Sequence, residues 1–277
     1  MLSAASLLGL SSCTKDLDRF PTNGETPEKI FSDPAKTLQA LAKVYGAYGL
    51  SGNGGDAREG NGADIAGIDE GSSDFLRQLF VLQELPTELA INAWGDQGLP
   101  DIHVHSWSAS NPFVRGLYYR SLYQIKLASD FLRNTESRAD DASIRAYRAE
   151  VRFLRAYQYW VLIDLYGNPP FVTEATATGK VYPQQISRAE LFKYIESELK
   201  AIDADLLAPK AAGYGRADKA AAWALLSRLY LNAEVYTGTQ RYAEAAEYAE
   251  RVISSGSYSL KADYSHIFLA DNNVNNP

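Results

Sequence analysis

The part of the chain with the clearest helical pattern is residues 215–256, GRADKAAAWALLSRLYLNAEVYTGTQRYAEAAEYAERVISSG. Each half of this segment repeats apolar side chains at helical spacing, with Gly238 in the turn between the halves. The repeated positions are Ala222, Leu225, Leu226, Leu229 and Tyr230, then Tyr242, Ala246, Ala249, Val252 and Ile253. Because many of these side chains are small, two such helices can approach closely. The segment therefore predicts a packed pair of helices.

Capping residues upstream of this pair predict four further helices. These helices are expected to begin at Asp33, Asn111, about Ala142 and Ser187, and the third is expected to end at Gly167. Prolines directly after Asp33 and Asn111 suit the first position of a helix. Predicted strands are few and short, so the chain is expected to be mainly α.

A helix pair of about forty residues, with small and large apolar side chains alternating, resembles a tetratricopeptide (TPR) unit. The predicted architecture is a set of TPR-like helical hairpins, stacked as a scaffold that leaves a concave surface. Residues 52–110 contain many Gly, Asn and Asp residues and are predicted to form an irregular, loop-rich region. We expect this region to carry the ligand-binding face.

Cys13, the single cysteine of the chain, follows the apolar and small residues LLGLSS. Such a run is too short to span a bilayer and is typical of a secretory signal. Residues 1–12 are therefore interpreted as a lipoprotein signal segment, Cys13 as the lipidation site and residues 13–31 as an extended tether. The alternative is an N-terminal core helix with a buried free thiol.

Composition and motifs exclude several classes of function. The 277 residues carry a formal net charge of −7 and no basic tract, so a nucleic-acid partner is not expected. There is no Gly-x-Ser-x-Gly motif, no phosphate loop and no marked acid/base pair, so we predict that the protein is not an enzyme. His103 and His105 would share a face of a strand, but no third metal ligand is indicated.

Trp94 and Trp107 lie within the loop-rich region, where exposed aromatic side chains often serve recognition. The face of an indole offers apolar area to the C–H face of a sugar ring. Arg77 and Asp69 offer charge-assisted hydrogen bonds to hydroxyl groups. These residues together could bind a glycan without altering it. The alternative is a buried Trp94, with an Asp69–Arg77 ion pair that holds the loop.

Several long motifs of this sequence resemble the SusD/RagB family of nutrient-binding lipoproteins of Bacteroidetes, closest to its starch-binding member. They are TKDLD after Cys13, ELPT at 84–87 leading to Trp94, RAEVRFLRA at 148–156, DLYG at 164–167, GRADKAA at 215–221 and RLYLNA at 228–233. The resemblance runs over nearly the whole chain and implies a helical fold in which TPR-like units support a capping region.

The resemblance also implies a function and a location. A member would lie on the outer face of the outer membrane, anchored through Cys13, and would cover a SusC-like TonB-dependent transporter as a lid. Its ligand would be an α-glucan oligosaccharide, with Trp94 stacking on sugar, Arg77 and Asp69 contacting hydroxyl groups and Gln97 replacing an Asn contact.

Other implications concern metal, length and competing functions. No cofactor is required, but a calcium site is implied near Asp271 and Asn273. Members of the family are longer than this chain, so the helical domain at 32–277 is expected to be truncated. Two other functions stay open: the same scaffold binding a different polysaccharide or a peptide, and a TPR-like scaffold for protein interactions.

Overall fold

The fold is described here from a computed structural model, which describes residues 24–52, 62–179 and 182–274. Cys13, the signal segment at 1–12 and the first part of the tether lie outside the described residues.

The described residues form ten α-helices and short 3-10 turns, without a strand. The helices are α1 (Pro27–Ser32), α2 (Pro34–Gly46), α3 (Phe75–Glu84), α4 (Leu99–His103), α5 (Pro112–Asn134), α6 (Ala142–Leu165), α7 (Arg188–Ala201), α8 (Lys219–Leu231), α9 (Ala233–Thr237) and α10 (Tyr242–Ser254). An isolated bridge pairs Pro170 with Gln185. The prediction of a mainly α chain is confirmed.

The long helices begin where the sequence supplies a capping side chain. Oδ1 of Asp33 accepts from the backbone N–H of Ala35 at 2.8 Å, and Oδ1 of Asn111 accepts from that of Phe113 at 3.0 Å. These bonds satisfy N–H groups that have no partner within the helix. Gly167 ends α6 with φ of +79°, a conformation that favours glycine.

The predicted tether at 13–31 needs a correction at its C-terminal end. Residues 27–31 are helical, because Pro27 suits the first position of α1 and Oγ1 of Thr26 accepts a hydrogen bond from the first turn. The ring of Phe31 meets that of Phe131 edge-on at 5.6 Å, which holds α1 against α5. Any extended tether therefore ends before residue 27.

The main core lies around α6, which packs between α5 and α7. Tyr159, Leu162 and Ile163 of α6 are fully buried there. Each large apolar side chain removed from water contributes roughly 1.5–3 kcal/mol. The predicted helix pair is present as α8 and α10, which pack together, and the turn between them contains the short helix α9.

The loop-rich region is more ordered than predicted. It contains α3 and α4 within the expected range of 52–110. Arg120 of α5 is completely buried beneath it and donates from Nε to the carbonyl of Ser73 at 2.8 Å and from Nη2 to that of Ser51 at 2.6 Å. One buried guanidinium therefore holds two separate loop segments on α5.

Candidate functional site

The loop that carries Trp94 is held at both ends. At one end, Nε2 of His103 lies 3.2 Å from both the backbone N and the backbone O of Asn92. At the other end, Nδ2 of Asn111 donates to the carbonyl of Gly98 at 2.8 Å. Within the loop, the N–H of Trp94 donates to Oδ1 of Asn92 at 2.9 Å, a local turn of the Asx type. The position of the indole is thus set by several bonds.

Trp94 is exposed, as the glycan hypothesis requires. Its side chain is 62% exposed, and the guanidinium of Arg77 lies 4.9 Å from the centroid of the ring. A cation over an indole is attracted by the negative face of the ring, by about 0.5–1 kcal/mol at an exposed site. Arg77 therefore steadies one side of the indole, while much of the ring remains in contact with solvent. The alternative of a buried Trp94 is wrong.

The ion-pair partner of Arg77 differs from the one in the alternative interpretation, which paired Arg77 with Asp69. Its Nη2 atom lies 2.7 Å from Oδ2 of Asp96, and its Nη1 donates to the carbonyl of Gly71 at 2.7 Å. The ion pair is therefore with Asp96 and not with Asp69. Asp69 instead has an exposed side chain at the start of a 3-10 turn, Glu70–Ser72.

A cleft of about 480 Å³ lies next to this arrangement. Asp69 and Gln97 line it, together with Asp96 and Arg115. Nη2 of Arg115 donates to the carbonyl of Gly67 at 3.0 Å, which joins two lining residues of the cleft. The lining presents carboxylate, amide and guanidinium groups within a small volume. Such groups can form hydrogen bonds with a neutral ligand that is rich in hydroxyl groups.

The structure thus brings the four predicted site residues together through shared neighbours. Asp69 and Gln97 line the cleft directly, Arg77 reaches it through Asp96, and Trp94 is connected to it through Arg77. Sequence reasoning missed the roles of Asp96 and Arg115. Asp96 lies two positions after Trp94, which is a visible signal, but nothing in the sequence indicates that Arg115 reaches the same cleft.

His103 and His105 do not lie on a strand, so they do not share a strand face. His103 is the last residue of α4, and His105 follows in a turn with φ of +57°. The two rings contact different partners: the His103 ring lies beside Asn92, and Nε2 of His105 donates to the carbonyl of Pro86 at 2.6 Å. Within the described ranges, no group of three or more His, Cys, Asp or Glu residues is arranged to hold a metal.

The residues proposed for calcium lie in a turn near the end of the described chain. The N–H of Val274 donates to the carbonyl of Asp271 at 2.9 Å, and Asn273 lines a shallow cleft with Lys210 and Arg216. Calcium takes six to eight oxygen ligands, and neighbouring cations disfavour it. The described residues do not fit a calcium shell by themselves, and the site stays a prediction.

Comparison with known proteins identifies the family. Residues 90–231, about half of the chain, match the model of a family described as SusD-like and as starch-binding, associating with the outer membrane. The chain belongs to the SusD-like family. The resemblance inferred from the motifs is therefore confirmed.

Two curated relatives place this chain among SusD-like proteins. It is 41% identical over 268 residues to the starch-binding protein SusD of Bacteroides thetaiotaomicron, covering 96% of this chain and 46% of that protein. It is 23% identical over 278 residues to the SusD-like protein P25 of Formosa agariphila, covering 95% of this chain and 47% of that protein. The chain thus spans about half the length of the curated relatives it matches.

Solved structures show the SusD-like fold independently. A SusD-like carbohydrate-binding protein of Bacteroides fragilis superposes with a TM-score of 0.68 at 22% identity, over 86% of this chain and 44% of that one. Surface glycan-binding protein A of Bacteroides fluxus gives 0.67 at 20% identity, over 87% and 48%. At these identities the likeness establishes the fold alone.

The SusD-like family is described as associating with the outer membrane. None of the helices in 24–52, 62–179 and 182–274 has both the length and the apolar character needed to cross a membrane.

Proposed function

We propose that this SusD-like chain binds starch-type α-glucan oligosaccharides at the cell surface and does not alter them. The observation that carries the proposal is the exposed indole of Trp94, held by Arg77, whose ion-pair partner Asp96 lines a cleft together with Asp69 and Gln97. A sugar ring would stack on the open part of the indole, while its hydroxyl groups would bond to the polar lining.

The mechanism is equilibrium binding to a preformed surface. The ring and its supporting guanidinium are fixed by bonds within the protein, so little ordering is needed when a sugar arrives. The indole of Trp94 lies at an exposed surface, and Arg77 covers one side of the ring. We therefore expect dissociation constants on the order of micromolar to millimolar, corresponding to about −4 to −8 kcal/mol.

The starch-type ligand and the cellular setting rest on the relatives. A protein that is 41% identical over nearly the whole chain is named as starch-binding, which favours an α-glucan over another polysaccharide. Anchoring through a lipid on Cys13 and delivery of the glycan to a SusC-like TonB-dependent transporter, which the protein would cover, complete the proposal. These steps come from the resemblance.

Replacing Trp94 by Ala tests the proposed site. The variant should lose most of its affinity for α-glucan, because the stacking surface is removed while the polar lining remains. Affinity electrophoresis in gels containing amylopectin, pullulan, xylan or inulin, followed by calorimetry, measures this. Tyr182→Ala is the matched control, since Tyr182 is an exposed aromatic residue on another loop.

The outcomes separate the competing functions. Retardation by amylopectin and pullulan that disappears in the Trp94 variant supports the proposal. Retardation by xylan or inulin alone points to another polysaccharide on the same scaffold. No retardation by any glycan would overturn the proposal and favour a TPR-like interaction scaffold, and release of reducing sugar from starch would show an enzyme.

The proposed sugar contacts use side chains of the protein and need no cofactor. Calcium near Asp271 and Asn273 is a separate prediction. If it binds, adding Ca²⁺ should raise the Tm of the protein, and Asp271→Ala should abolish that rise. An unchanged Tm in the presence of millimolar Ca²⁺ would contradict it.

A further inference from the structure

A second exposed tryptophan, Trp107, lies on the loop beside the one that carries Trp94. Its side chain is 44% exposed, in contrast to Trp160 of the core, which is 2% exposed. A partly exposed indole on a loop offers an aromatic face to a ligand.

Hydrogen bonds connect the two loops that carry the tryptophans. Residues 92–98 carry Trp94 and residues 103–111 carry Trp107. The loops are joined at one end by His103 on Asn92 and at the other by the bond from Asn111 to Gly98. Along the backbone, Trp94 is two residues from Asn92, and Trp107 is four residues from His103. This path is no longer than about 23 Å plus the side-chain contact, which one oligosaccharide of several sugar units can span.

The ring of Trp107 is held in place. The His105 ring meets it edge-on, with centroids 5.8 Å apart and an interplanar angle of 73°. The His105 ring is itself fixed by its hydrogen bond to the carbonyl of Pro86. The backbone of His105 has φ of +57°, which is uncommon for a residue with a side chain and costs free energy that the surrounding contacts must offset. An indole fixed in this way is preorganised for a ligand.

Polar groups connect Trp107 to the cleft. The hydroxyl groups of Ser108 and Ser110 lie 2.9 Å apart, and both residues are exposed. Ser110 lines the cleft together with Gln97. The exposed surface therefore continues from Trp107 through the two serines to the cleft beside Trp94.

We propose that Trp107 forms a second stacking subsite, which contacts α-glucan oligosaccharides long enough to extend past the Trp94 cleft. The proposal rests on the proposed function, since it assigns a further part of the same ligand. Ser108 and Ser110 would bond to hydroxyl groups of the sugar units between the two rings. The protein would then discriminate oligosaccharides by length.

The test compares a short and a long ligand on the full chain. Calorimetric titrations with maltotriose and maltoheptaose would be performed on the unmodified protein and on Trp107→Ala, Trp107→Phe, Trp94→Ala and Tyr182→Ala. Trp107→Ala should lower the affinity for maltoheptaose about fivefold to tenfold, the effect of losing one aromatic contact. Its affinity for maltotriose should stay within about twofold. Trp107→Phe, which keeps an aromatic face, should retain most of the affinity for maltoheptaose.

The outcomes distinguish this inference from the proposed function. If Trp107→Ala weakens both ligands equally, or neither, the second subsite is overturned, while a large effect of Trp94→Ala still supports the first. If Trp94→Ala leaves both affinities unchanged, the proposed site itself fails. The Tm of each variant shows that it is folded, and the Phe variant tests the subsite with the least change of shape.

Discussion

At the scale of single residues, the pair of Arg77 and Asp96 sets the position of the indole. Replacing Asp96 by Asn removes the charge opposite the guanidinium, which otherwise lies 2.7 Å away. Both side chains are partly exposed, so the free energy of unfolding should change by about 1 kcal/mol or less. Arg77 would be less firmly placed over Trp94, and we expect the affinity for maltoheptaose to fall about twofold to fivefold.

The measurement for Asp96→Asn is calorimetric titration together with a thermal melt. Asp101→Asn is a suitable control, because Asp101 is an exposed carboxylate on the neighbouring helix α4. Equal affinities in the Asp96 variant and the unmodified protein would show that Arg77 does not need this partner.

The residue types of the site could be predicted, but their pairing could not. Trp94 lies among polar loop residues, which favoured a binding role for its ring, and the structure shows that ring exposed. The alternative interpretation paired Arg77 with Asp69, whereas the structure shows an ion pair with Asp96. Which carboxylate a guanidinium meets depends on the path of the loops, and spacing along the chain does not reveal that path.

At the scale of helices, a group of ion pairs connects α6 to α7. Nη2 of Arg152 lies 2.7 Å from Oε1 of Glu198, and Nη2 of Arg155 lies 3.1 Å from its Oε2. Burial alone would raise the pKa of Glu198, but its hydrogen bonds to Arg152 and the charges of both arginines hold that pKa below its ordinary value of 4.5. Removing one member of such a buried group leaves a charge without its partner.

Replacing Glu198 by Gln should therefore destabilise the protein in a pH-dependent way. At pH 7 the loss should be about 1.5–3 kcal/mol, because Glu198 is partly exposed and Arg155 keeps its ion pair with Glu174. Because the folded-state pKa of Glu198 is lowered, its stabilisation is fully present above pH 4.5 and is lost as the pH falls through the folded-state value. The difference between the variant and the unmodified protein should thus shrink below pH 4.5.

Urea denaturation between pH 3 and pH 7 measures this difference. Glu190→Gln is the control on the same helix, because Glu190 pairs with Lys193 at the surface, with 60% of its side chain exposed. That variant should change stability little at any pH. A constant difference for Glu198→Gln across the range would contradict the lowered pKa.

Helices with a strong cap and a long apolar face could be predicted from sequence, and short ones were missed. The start of α5 at Asn111 followed from its capping side chain. The helix α3 begins after a comparable cap, since Oδ1 of Asp74 accepts from the N–H of Arg77 at 2.9 Å. Its ten residues follow a glycine-rich segment and lie within the range predicted to be loop-rich. Packing of α3 on α5 stabilises it, and that contact is distant in sequence.

At the scale of the whole molecule, one buried carboxylate connects distant parts of the chain. Glu150 of α6 accepts a hydrogen bond from the hydroxyl of Tyr45 of α2 at 2.6 Å and another from Nε of Arg216, ahead of α8, at 3.0 Å. The N–H of Ala217 donates to the same Tyr45 hydroxyl at 2.8 Å. The helices α2 and α6 and the segment that leads into α8 thus meet at one cluster of hydrogen bonds around Glu150.

Replacing Tyr45 by Phe should weaken this hydrogen-bonded cluster without affecting the proposed glycan site. The change removes one of the two hydrogen bonds to Oε2 of the buried Glu150, which keeps its bond from Arg216, and it leaves the N–H of Ala217 without its partner. Together these losses should cost about 1–3 kcal/mol. For a chain of this size, that corresponds to a fall in Tm of roughly 3–9 °C. Affinity for maltoheptaose should be unchanged, because Tyr45 does not line the cleft beside Trp94. Tyr119→Phe, at an exposed position of α5, is the control.

Two probes of urea unfolding test whether the elements that meet at Glu150 unfold as one cooperative unit. Indole fluorescence includes the core residue Trp160, and far-UV circular dichroism reports all helices together. If the elements that meet at Glu150 unfold as one unit, both probes should give the same midpoint, and Tyr45→Phe should lower that midpoint equally for both. Separate midpoints in the variant, or a midpoint equal to that of the unmodified protein, would show that the TPR-like pair is stable without this contact. Coincident shifts would mean that the elements that meet at Glu150 unfold cooperatively. If the affinity for maltoheptaose is also unchanged, the stability of the scaffold can be changed independently of the exposed indoles that we assign to binding.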